Sequence, residues 1–351
     1  MNLKNTSKQP VGVIGAGSFG TAVANLLAIN NEVLLYGRKA DQVELIAKTR
    51  KSSGQKLNDR IVITHDLELI ARSCETIFPI VPSTNFRDLI KKLSPYLRPY
   101  HVLIHGTKGF DLGLDMDMFD PEKQIISRDK VRTMSEVISE ESVVVRIGCL
   151  AGPNLAMELA KGQPSATVVA SKFNEVIHVG QRLLRSDFFQ VYGNSDLIGI
   201  ELSGVLKNVI AIAAGALSGL NLGENSRGLL ISRGMVEMIY LGKALGGNPQ
   251  AFIGLAGIGD LVTTCSSQLS RNYTVGFRLA KGDKLEEIMN TMEETAEGIY
   301  TVKIAKSLAQ YYKVRAPITE KLYDVMFKGM KAETALQYLM KYPFNIDIDF
   351  I

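Results

Sequence analysis

The stretch that decides the fold reads Val11-Gly12-Val13-Ile14-Gly15-Ala16-Gly17-Ser18-Phe19-Gly20, and it continues into helix-favouring residues at 21–27. The apolar residues before the glycines predict a buried strand, and the residues after them predict a helix. Gly15 permits a tight turn, Gly17 lets the backbone approach a pyrophosphate, and Gly20 lets the helix pack closely on the strand. The free N–H groups of the helix then face the anion. We therefore expect a dinucleotide site here; the alternative is a purely structural turn, because glycine-rich turns are common.

Outward from this unit, short β-branched runs alternate with stretches of helical period up to about residue 195. Such alternation predicts a parallel sheet covered by helices. The runs that we predict as strands are 11–14, 33–35, 61–64, 76–80, 102–104, 143–147 and 167–170. From about Asp196 the chain consists of long segments rich in Ala, Leu and Met, each ended by Gly or Pro. The predicted fold is an α/β Rossmann-like dinucleotide-binding domain over 1–195 followed by an all-α domain over 196–351, with a ligand cleft between them.

The 22 residues at 202–223 contain a single charge, Lys207. Their length would permit a membrane span, but glycines and polar residues interrupt them, so we expect a buried central helix and no membrane span. A lysine in such surroundings loses hydration, which lowers its pKa toward the range of a general acid or base. The alternative is that its stem packs in the helix while the ammonium reaches solvent at an edge.

Polar residues also follow the predicted strands, where the carboxyl ends of a parallel sheet open onto one crevice. Lys108 lies in the loop after the strand at 102–104, where a phosphate or carbonyl oxygen would bind. After the strand at 143–147 come Gly152 and Asn154, and Asn154 is a natural N-cap for the next helix. Each of these residues is by itself also compatible with ordinary turn chemistry.

The residues after the second strand bear on the choice of cofactor. An acidic residue about 20 positions after the first glycine would select NAD by binding the adenosine ribose, but the sequence there is Tyr36-Gly37-Arg38-Lys39. Arg38 or Lys39 would neutralise a 2′-phosphate, which favours NADP without excluding NAD. The alternative for Arg38 is a solvated loop cation.

Two further polar groups stand out in the helical half. Asp260 follows a glycine-rich apolar stretch and needs a partner, which Lys207 or a cluster of backbone N–H groups would supply. Ser270 is placed to cap a helix that runs to about Lys281. Free N–H groups together with the Arg271 guanidinium would form a phosphate site; the alternative is a capped helix with a surface arginine.

Composition and charge exclude several classes of protein. The 351 residues are 46% hydrophobic and 22% charged, with a formal net charge of +4, so the chain fits neither a disordered protein nor a multi-span membrane protein. It shows no Lys/Arg cluster with interleaved aromatics, and we expect no nucleic-acid partner. The three cysteines lack CxxC spacing and the four histidines form no ligand pattern, so we expect no metal and a cytoplasmic location. The first ten residues contain no apolar signal segment, so we do not expect secretion.

Several short blocks of the sequence occur together in an order that is typical of one protein family. They are Gly15-Ala16-Gly17-Ser18-Phe19-Gly20-Thr21-Ala22, Lys108-Gly109, Gly152-Pro153-Asn154-Leu155-Ala156, Glu201-Leu202-Ser203-Gly204-Val205-Leu206-Lys207-Asn208, Gly257-Ile258-Gly259-Asp260-Leu261, Ser270-Arg271-Asn272 and Glu297-Gly298. With these blocks the chain resembles the bacterial-type NAD(P)-dependent glycerol-3-phosphate dehydrogenases over residues 10–330. The resemblance implies reversible hydride transfer between NAD(P)H and dihydroxyacetone phosphate, which yields sn-glycerol 3-phosphate, the precursor of glycerophospholipids. It also implies a homodimer.

The resemblance further implies roles for individual residues. Lys207 matches the catalytic lysine, which donates a proton to the carbonyl oxygen on reduction and removes it on oxidation, while Lys108 and Asp260 position and tune it. The other substrate-binding residues that it implies are Gly152, Asn154, Ser270, Arg271 and Asn272. The cofactor-binding residues, with the loop glycines derived above, are Gly15, Gly17, Ser18, Phe19, Gly20, Arg38, Lys108, Ala156, Arg271 and Glu297.

The sequence departs from the family's pattern in four places. Asn154 stands where Ser or Thr is usual, and Thr295-Ala296 precedes Glu297 where valines are usual. The acidic segment 110–133 looks longer than the family's loop; we expect a solvated insertion or a lid rather than a calcium loop, because the required glycine and bidentate Glu are missing. The tail 344–351 has no assignment beyond packing or an oligomer contact.

Two other functions stay open at the level of the sequence. A related two-domain reductase of the 3-hydroxy-acid or ketopantoate type would share the glycine loop and the helical second domain, but the Ser270-Arg271-Asn272 site argues against its carboxylate substrates. A non-catalytic NAD(P)-binding regulator would not need an isolated lysine in an apolar helix.

Overall fold

The computed structural model describes residues 9–292, 294 and 296–343. Residues 1–8, Thr295 and the tail 344–351, for which the sequence supports expectations, lie outside the described residues. Up to residue 194, strands and helices alternate. The elements are β1 (Val11–Ile14), α1 (Ser18–Leu27), β2 (Val33–Tyr36), α2 (Ala40–Thr49), β3 (Lys51–Ser52), β4 (Gln55–Lys56), β5 (Ile61–Thr64), α3 (Leu67–Ser73), β6 (Thr76–Pro79), α4 (Phe86–Leu93), β7 (Val102–His105), α5 (Met134–Glu141), β8 (Arg146–Ala151), α6 (Ala156–Ala160), β9 (Ser165–Ser171), α7 (Asn174–Leu184) and β10 (Phe189–Asn194).

Eight of these strands form one sheet in the order β10-β9-β8-β7-β6-β1-β2-β5, while β3 and β4 form a separate antiparallel pair. All neighbours from β5 to β8 pair in parallel. β9 pairs antiparallel with β8, and β10 pairs parallel with β9. The predicted Rossmann-like sheet is confirmed, with the addition that β9 and β10 run against the other six strands.

The predicted strand bounds are confirmed for β1 and β5 and are wrong for β8. The sequence predicts a strand at 143–147, but β8 spans Arg146–Ala151. The reason is burial: Val143 and Val145 are 55% and 61% exposed, so their β-branched side chains do not belong to the sheet core. The sequence also does not predict β10, an edge strand whose buried residues alternate with polar and exposed ones.

The turn between β1 and α1 needs its glycines for steric reasons. Gly15 has a φ of +125°, and a Cβ on it would lie 2.0 Å from the Ile80 carbonyl oxygen. A Cβ on Gly20 would lie 1.9 Å from the Gly15 carbonyl oxygen. No side chain fits at either position. The predicted steric roles of Gly15 in the turn and of Gly20 in helix packing are confirmed.

After Asp196, every regular element among the described residues is helical, which confirms the all-α prediction for this part. The helices are α8 (Leu197–Gly219), α9 (Glu224–Ala244), α10 (Pro249–Ile253), α11 (Asp260–Ser266), α12 (Arg271–Ala280), α13 (Leu285–Thr291), α14 (Gly298–Tyr312), α15 (Pro317–Phe327) and α16 (Ala332–Met340). A π-helical turn at Leu255–Gly259 joins α10 to α11, where the glycine-rich sequence predicts a departure from regular helix.

α8 is the central helix of this part and packs against α9, α11, α12 and α14. It is long and apolar enough to cross a membrane, but 89% of its most apolar window is buried within the protein, so the predicted buried central helix is confirmed. A Cβ on Gly215 would lie 1.9 Å from the Tyr273 carbonyl oxygen, and one on Gly276 would lie 1.7 Å from that of Ile212. The backbones of α8 and α12 are therefore in direct contact, which fixes Lys207 relative to the N-terminus of α12.

The segment 110–133 is packed against the helical part, so the expectation of a solvated insertion is wrong. Its buried apolar residues share one core with α8 and include Phe110, Phe119, Ile126 and Val131. The Ile126 N–H group donates to Ser307 Oγ on α14 at 2.8 Å. The aspartates of the segment favour solvation, but the apolar side chains between them outweigh that preference by joining the core.

Candidate active site

A cleft of about 520 Å³ lies between loops at the carboxyl ends of the sheet strands and the helices α8, α11 and α12. It brings together most of the sequence-predicted site residues, namely Gly15, Gly17, Ser18, Phe19, Gly20, Lys108, Asn154, Ala156, Lys207, Asp260, Ser270, Arg271, Asn272 and Glu297. Two predicted residues do not line it. Gly152 contacts the cleft only through its carbonyl oxygen, which accepts from Lys108, and Arg38 is exposed in the turn after β2.

Two lysines meet one buried carboxylate in this cleft. Lys207 Nζ lies 2.9 Å from Asp260 Oδ1, and Lys108 Nζ lies 2.6 Å from Asp260 Oδ2. Lys108 Nζ also donates to the Gly152 carbonyl oxygen at 3.1 Å. The three charged side chains come from α8, the start of α11 and the loop after β7, so the cluster spans both walls of the cleft.

Burial and mutual charge shift the acid–base properties of this cluster. Burial, opposed by Asp260, lowers the pKa of Lys207 to about 8, and the nearby Lys108 ammonium acts in the same direction as burial. Burial favours the neutral form of Asp260, but Lys108 and Lys207 outweigh it and hold the pKa of that carboxyl below its usual value. Near neutral pH the cluster therefore contains an ionised Asp260 and a Lys207 that gives up its proton far more readily than an ordinary lysine.

Thr264 belongs to the same cluster, although the sequence-predicted site does not include it. Its Oγ1 lies 2.5 Å from Lys207 Nζ and donates to the Asp260 carbonyl oxygen at 2.6 Å. Thr264 lies four residues after Asp260, one turn along α11, and this spacing is the signal that could have revealed it. An ammonium has three N–H donors. Two of those of Lys207 bond to Asp260 and Thr264, which leaves one for a ligand oxygen.

The N-terminus of α12 forms another part of the cleft wall. Ser270 Oγ accepts from the Tyr273 N–H group at 3.3 Å, which confirms the predicted N-cap. The first N–H groups of a helix have no intrahelical acceptor and can bind an anion. The Asn272 side chain is used within the protein: Nδ2 donates to Asn208 Oδ1 at 2.9 Å, and Oδ1 accepts from the Gly298 N–H group at 2.9 Å. These bonds tie α12 to α8 and α14.

A carboxylate lies at the N-terminus of α1, where the glycine loop predicts an anion. Glu294 accepts from the Ser18 N–H group at 3.2 Å and from Ser18 Oγ at 3.0 Å. Arg271 Nη1 lies 3.1 Å from Glu294 Oε2. A Cβ on Gly17 would lie 3.6 Å from Glu294 Oε1, so the glycine borders the anion position. The sequence does not reveal Glu294 as a site residue, because its partner Ser18 is 276 residues away.

Glu297 and Asn154 also bond within the protein. Glu297, just before α14, accepts from the Ser83 N–H group at 2.8 Å and from the Ser83 hydroxyl, and burial raises the pKa of its carboxyl. Asn154 is not the N-cap that the sequence predicts, because α6 begins only after Leu155 and has no side-chain cap. Instead, Thr167 Oγ1 on β9 donates to Asn154 Oδ1 at 2.8 Å.

A second cavity, of about 660 Å³, lies in the helical part between α8, α9, α15 and α16. Its lining is mainly aliphatic, and its charged side chains are Arg233 and Lys321. It lacks both the glycine loop and a cluster of acidic and basic groups. We therefore place the candidate active site in the cleft around Lys207.

Comparisons with known proteins decide the family. The profile described as NAD-dependent glycerol-3-phosphate dehydrogenase N-terminus matches residues 10–177, and the profile described as its C-terminus matches residues 196–337. The chain belongs to this family. It is therefore an oxidoreductase that uses NAD(P)H, and the resemblance seen in the sequence is confirmed.

Several proteins named glycerol-3-phosphate dehydrogenase are similar to this chain over nearly its whole length. Proteins named glycerol-3-phosphate dehydrogenase (NAD(P)+) from Pseudomonas putida and Teredinibacter turnerae are 39% and 36% identical, covering 99% and 98% of this chain and 98% of each relative. The crystal structure of the glycerol-3-phosphate dehydrogenase from Coxiella burnetii has a TM-score of 0.85 at 31% identity, covering 95% of this chain and 99% of that chain. A ketopantoate reductase from Ralstonia eutropha, with a TM-score of 0.56 at 11% identity over 94% of this chain and 99% of that chain, shares the fold alone.

Proposed function

We propose that the protein reduces dihydroxyacetone phosphate reversibly to sn-glycerol 3-phosphate with NAD(P)H in the cleft that contains Lys207, and that the product is used in glycerophospholipid synthesis. The relatives named above are glycerol-3-phosphate dehydrogenases. The observation that carries the proposal is the cluster of Lys207, Asp260 and Lys108 in the same cleft as the glycine loop. Cofactor binding alone needs no such cluster, so its presence counts against a non-catalytic regulator.

In the direction of reduction, Lys207 is the proton donor. A carbonyl oxygen at the remaining N–H group of Lys207 takes the proton as hydride reaches the carbonyl carbon, and the Lys108 ammonium stabilises the negative charge that develops on that oxygen. In the direction of oxidation, neutral Lys207 removes the hydroxyl proton of glycerol 3-phosphate. A pKa of about 8 keeps both forms of Lys207 accessible near neutral pH, while Asp260 and Thr264 hold its orientation.

The glycine loop fits the cofactor by shape and by charge. Gly15 and Gly20 leave no room for side chains, and the N-terminus of α1 already binds an anion, the Glu294 carboxylate. Both features suit a pyrophosphate. When bound, the nicotinamide cofactor supplies or accepts the hydride. The further residues that we propose to contact it are Gly17, Ser18, Phe19, Lys108, Ala156, Arg271 and Glu297 in the cleft, and Arg38 in the turn after β2.

The N-terminus of α12 is the proposed site of the substrate phosphate. Ser270 caps the helix there, and Arg271 adds a guanidinium to the N–H groups of the first turn. Asn272 contributes through the backbone, because its side chain amide is bonded within the protein. On the opposite wall Gly152 holds Lys108 in place, and Asn154 completes the lining. Binding a phosphate away from the reacting carbon orients the substrate for hydride transfer.

A substrate assay tests this proposal. Oxidation of NADH and of NADPH is followed by absorbance, first with dihydroxyacetone phosphate and then with ketopantoate. We expect oxidation with dihydroxyacetone phosphate and little with ketopantoate. The absence of oxidation with dihydroxyacetone phosphate overturns the proposal: turnover of ketopantoate alone then favours the related reductase, and cofactor binding without turnover of either favours a regulator.

We also propose the domain bounds 1–195 and 196–351 and a cytoplasmic location. The bounds are supported by the end of β10 at Asn194 and the start of α8 at Leu197. The location is supported by three buried free thiols, which persist in a reducing compartment.

A homodimer is the proposed state in solution. Support comes from the apolar cavity beside α9 and α16, whose lining includes the exposed side chains of Leu229 and Met340, because exposed apolar patches mark contact surfaces. We expect light scattering to give the mass of two chains for the wild type and of one chain for Leu229→Glu. A wild type that is monomeric at every concentration contradicts this proposal.

A further inference from the structure

One face of α8 follows the loop that carries Lys108. Asn208 Nδ2 donates to the Lys108 carbonyl oxygen at 3.4 Å. One turn earlier, Gly204 borders the stem of Lys108, since a Cβ there would lie 3.6 Å from Lys108 Cγ. Earlier still, Glu201 Oε1 lies 2.9 Å from Nε2 of His105, the last residue of β7. Residues three and four apart share a helix face, so one face of α8 contacts His105 at the end of β7 and, at two further positions, Lys108.

The buried Glu201 carboxylate joins α8 to two other elements. It accepts from Thr133 Oγ1 at 2.9 Å, from the Ser135 N–H group at 2.9 Å and from the Ser135 hydroxyl. Thr133 and Ser135 form the start of α5, and His105 ends β7. Burial opposes the charge of Glu201, but His105 and Ser135 hold the pKa of its carboxyl below its usual value. An ionised carboxylate therefore connects α8, α5 and β7 in the interior.

Nothing in the proton transfer or in ligand binding accounts for Glu201. It does not line the cleft, and burying a carboxylate costs desolvation free energy that an apolar side chain of similar size avoids. In some proteins buried polar or ionic groups are retained because they specify one arrangement of the elements that they join. Here that arrangement includes the strand whose loop carries Lys108, three residues after His105.

We propose that Glu201 and His105 are positioning residues that hold Lys108 against Asp260. They act through the end of β7 and touch neither substrate nor cofactor. The inference rests on the proposed function, because it assumes that Lys108 acts beside Lys207 in the reaction. When the contact is lost, Lys108 Nζ is expected to withdraw from Asp260 Oδ2, which it now approaches to 2.6 Å.

Withdrawal of Lys108 is expected to raise the pKa of Lys207. The titratable groups that affect the pKa of Lys207 include Asp260, Lys108 and Cys265. Burial raises the pKa of the Cys265 thiol to about 12, so this thiol is neutral over the pH range of the reaction. Since Lys108 lowers the pKa of Lys207, moving Lys108 away raises it. Oxidation of glycerol 3-phosphate needs neutral Lys207, so its kcat then rises only at higher pH.

The pH profile of kcat for glycerol 3-phosphate oxidation tests this role in the full chain. For Glu201→Gln we expect kcat to fall ~10–100-fold, as for a small misplacement of a catalytic group. We expect the inflection of the profile to move to higher pH. His105→Gln, which leaves the bonds of Glu201 to α5 intact, is the milder second variant and should move it in the same direction. In a Lys108→Met background, Glu201→Gln should cause no further movement.

Glu237→Gln is the control for the loss of a buried acidic side chain. Glu237 lies outside the cleft, and its carboxyl accepts from the N–H groups of Ile318 and Thr319 at 2.6 and 3.2 Å, at the start of α15. Burial raises the pKa of this carboxyl to about 8, so the control removes a buried acid and not a second ionised carboxylate. This variant should leave the inflection where it is. An unmoved inflection in folded Glu201→Gln and His105→Gln, or an equal movement in Glu237→Gln, overturns the positioning role.

A failure of the proposed function gives a different result. In that case the wild type shows no inflection that depends on Lys207. The distance from Lys108 Nζ to Asp260 Oδ2 in a crystal structure of Glu201→Gln then tests positioning separately. A lengthened distance supports the role of Glu201, and a distance kept at 2.6 Å overturns it.

Discussion

The cleft holds two sets of ion pairs that differ in burial. Lys207, Lys108 and Asp260 meet in its buried part, whereas Arg271 and Glu294 pair at its rim with side chains that are 44% and 37% exposed. Charges in the interior interact strongly and shift one another's pKa values, while an exposed pair contributes at most about 1 kcal/mol. We therefore propose that the buried set carries out proton transfer in a fixed arrangement, and that the rim pair exchanges the Glu294 carboxylate for a ligand phosphate at little cost.

Asp260→Asn should have the largest effect among variants that sharpen this comparison. We expect kcat to fall by ~10²-fold or more, because Lys207 loses the group that orients it. The carboxylate also raises the pKa of Lys207, so its loss should move the inflection in glycerol 3-phosphate oxidation to lower pH. This direction is opposite to that expected for Glu201→Gln. A pH profile of kcat measures the fall in kcat and the movement of the inflection. An unchanged kcat would show that the buried cluster takes no part in proton transfer.

Arg271→Ala tests the rim. Losing charge-assisted hydrogen bonds of about 1.5–3 kcal/mol should raise the KM for dihydroxyacetone phosphate ~10–100-fold, with a smaller change in kcat and no movement of the pH inflection. Arg278→Ala is the control, because Arg278 lies in the last turn of the same helix and pairs with Asp283. Steady-state kinetics decide the matter: equal KM values for wild type and Arg271→Ala would remove Arg271 from the phosphate site.

Arg38→Asp concerns a cation outside the cleft and should have a more selective effect. We expect the ratio of catalytic efficiencies with NADPH and NADH to fall ~10-fold, since a carboxylate repels a 2′-phosphate and can bind a ribose hydroxyl. Lys48→Asp, on the exposed side of helix α2, which follows this turn, is the control. If the ratio does not move, Arg38 is a solvated loop cation.

Glu294→Gln should have the smallest effect. Removing the carboxylate that accepts from Ser18 ends its competition with the pyrophosphate for the N-terminus of α1. At about 1 kcal/mol for an exposed ion pair, the Kd for NADH should fall by up to ~5-fold. Fluorescence titration of NADH measures it. A higher Kd in the variant would show that Glu294 assists binding and does not exchange with the phosphate.

The sequence predicts the parts of this protein that depend on local chemistry. Gly15 and Gly20 are required by contacts within one turn, Ser270 caps the helix that it precedes, and Lys207 is visible as one charge in an apolar helix. The family follows from the order of the sequence blocks. The α/β and the all-α parts follow from the change in residue pattern near residue 195. The proposed roles of the site residues and the domain bounds stay predictions until the experiments above are done.

The parts that the sequence does not predict depend on distant partners. Glu294 meets Ser18 and Glu201 meets His105 only because the two halves of the chain pack together. Asn154 looks like an N-cap by residue type, but β9 offers it a competing partner in Thr167. Residue type and spacing carry no information about contacts of this kind.

The central claim is that Lys207 exchanges the proton in this reaction. The most direct measurement is kcat of Lys207→Ala across pH, with binding of NADH to the same variant as the control for folding. If Lys207 exchanges the proton, kcat falls ~10²–10⁴-fold, as for removal of a general acid–base group, while the Kd for NADH is unchanged. The inflection near pH 8 that we expect in the wild type from the lowered pKa of Lys207 then disappears. Turnover retained at the wild-type level, with the same pH profile, would contradict it.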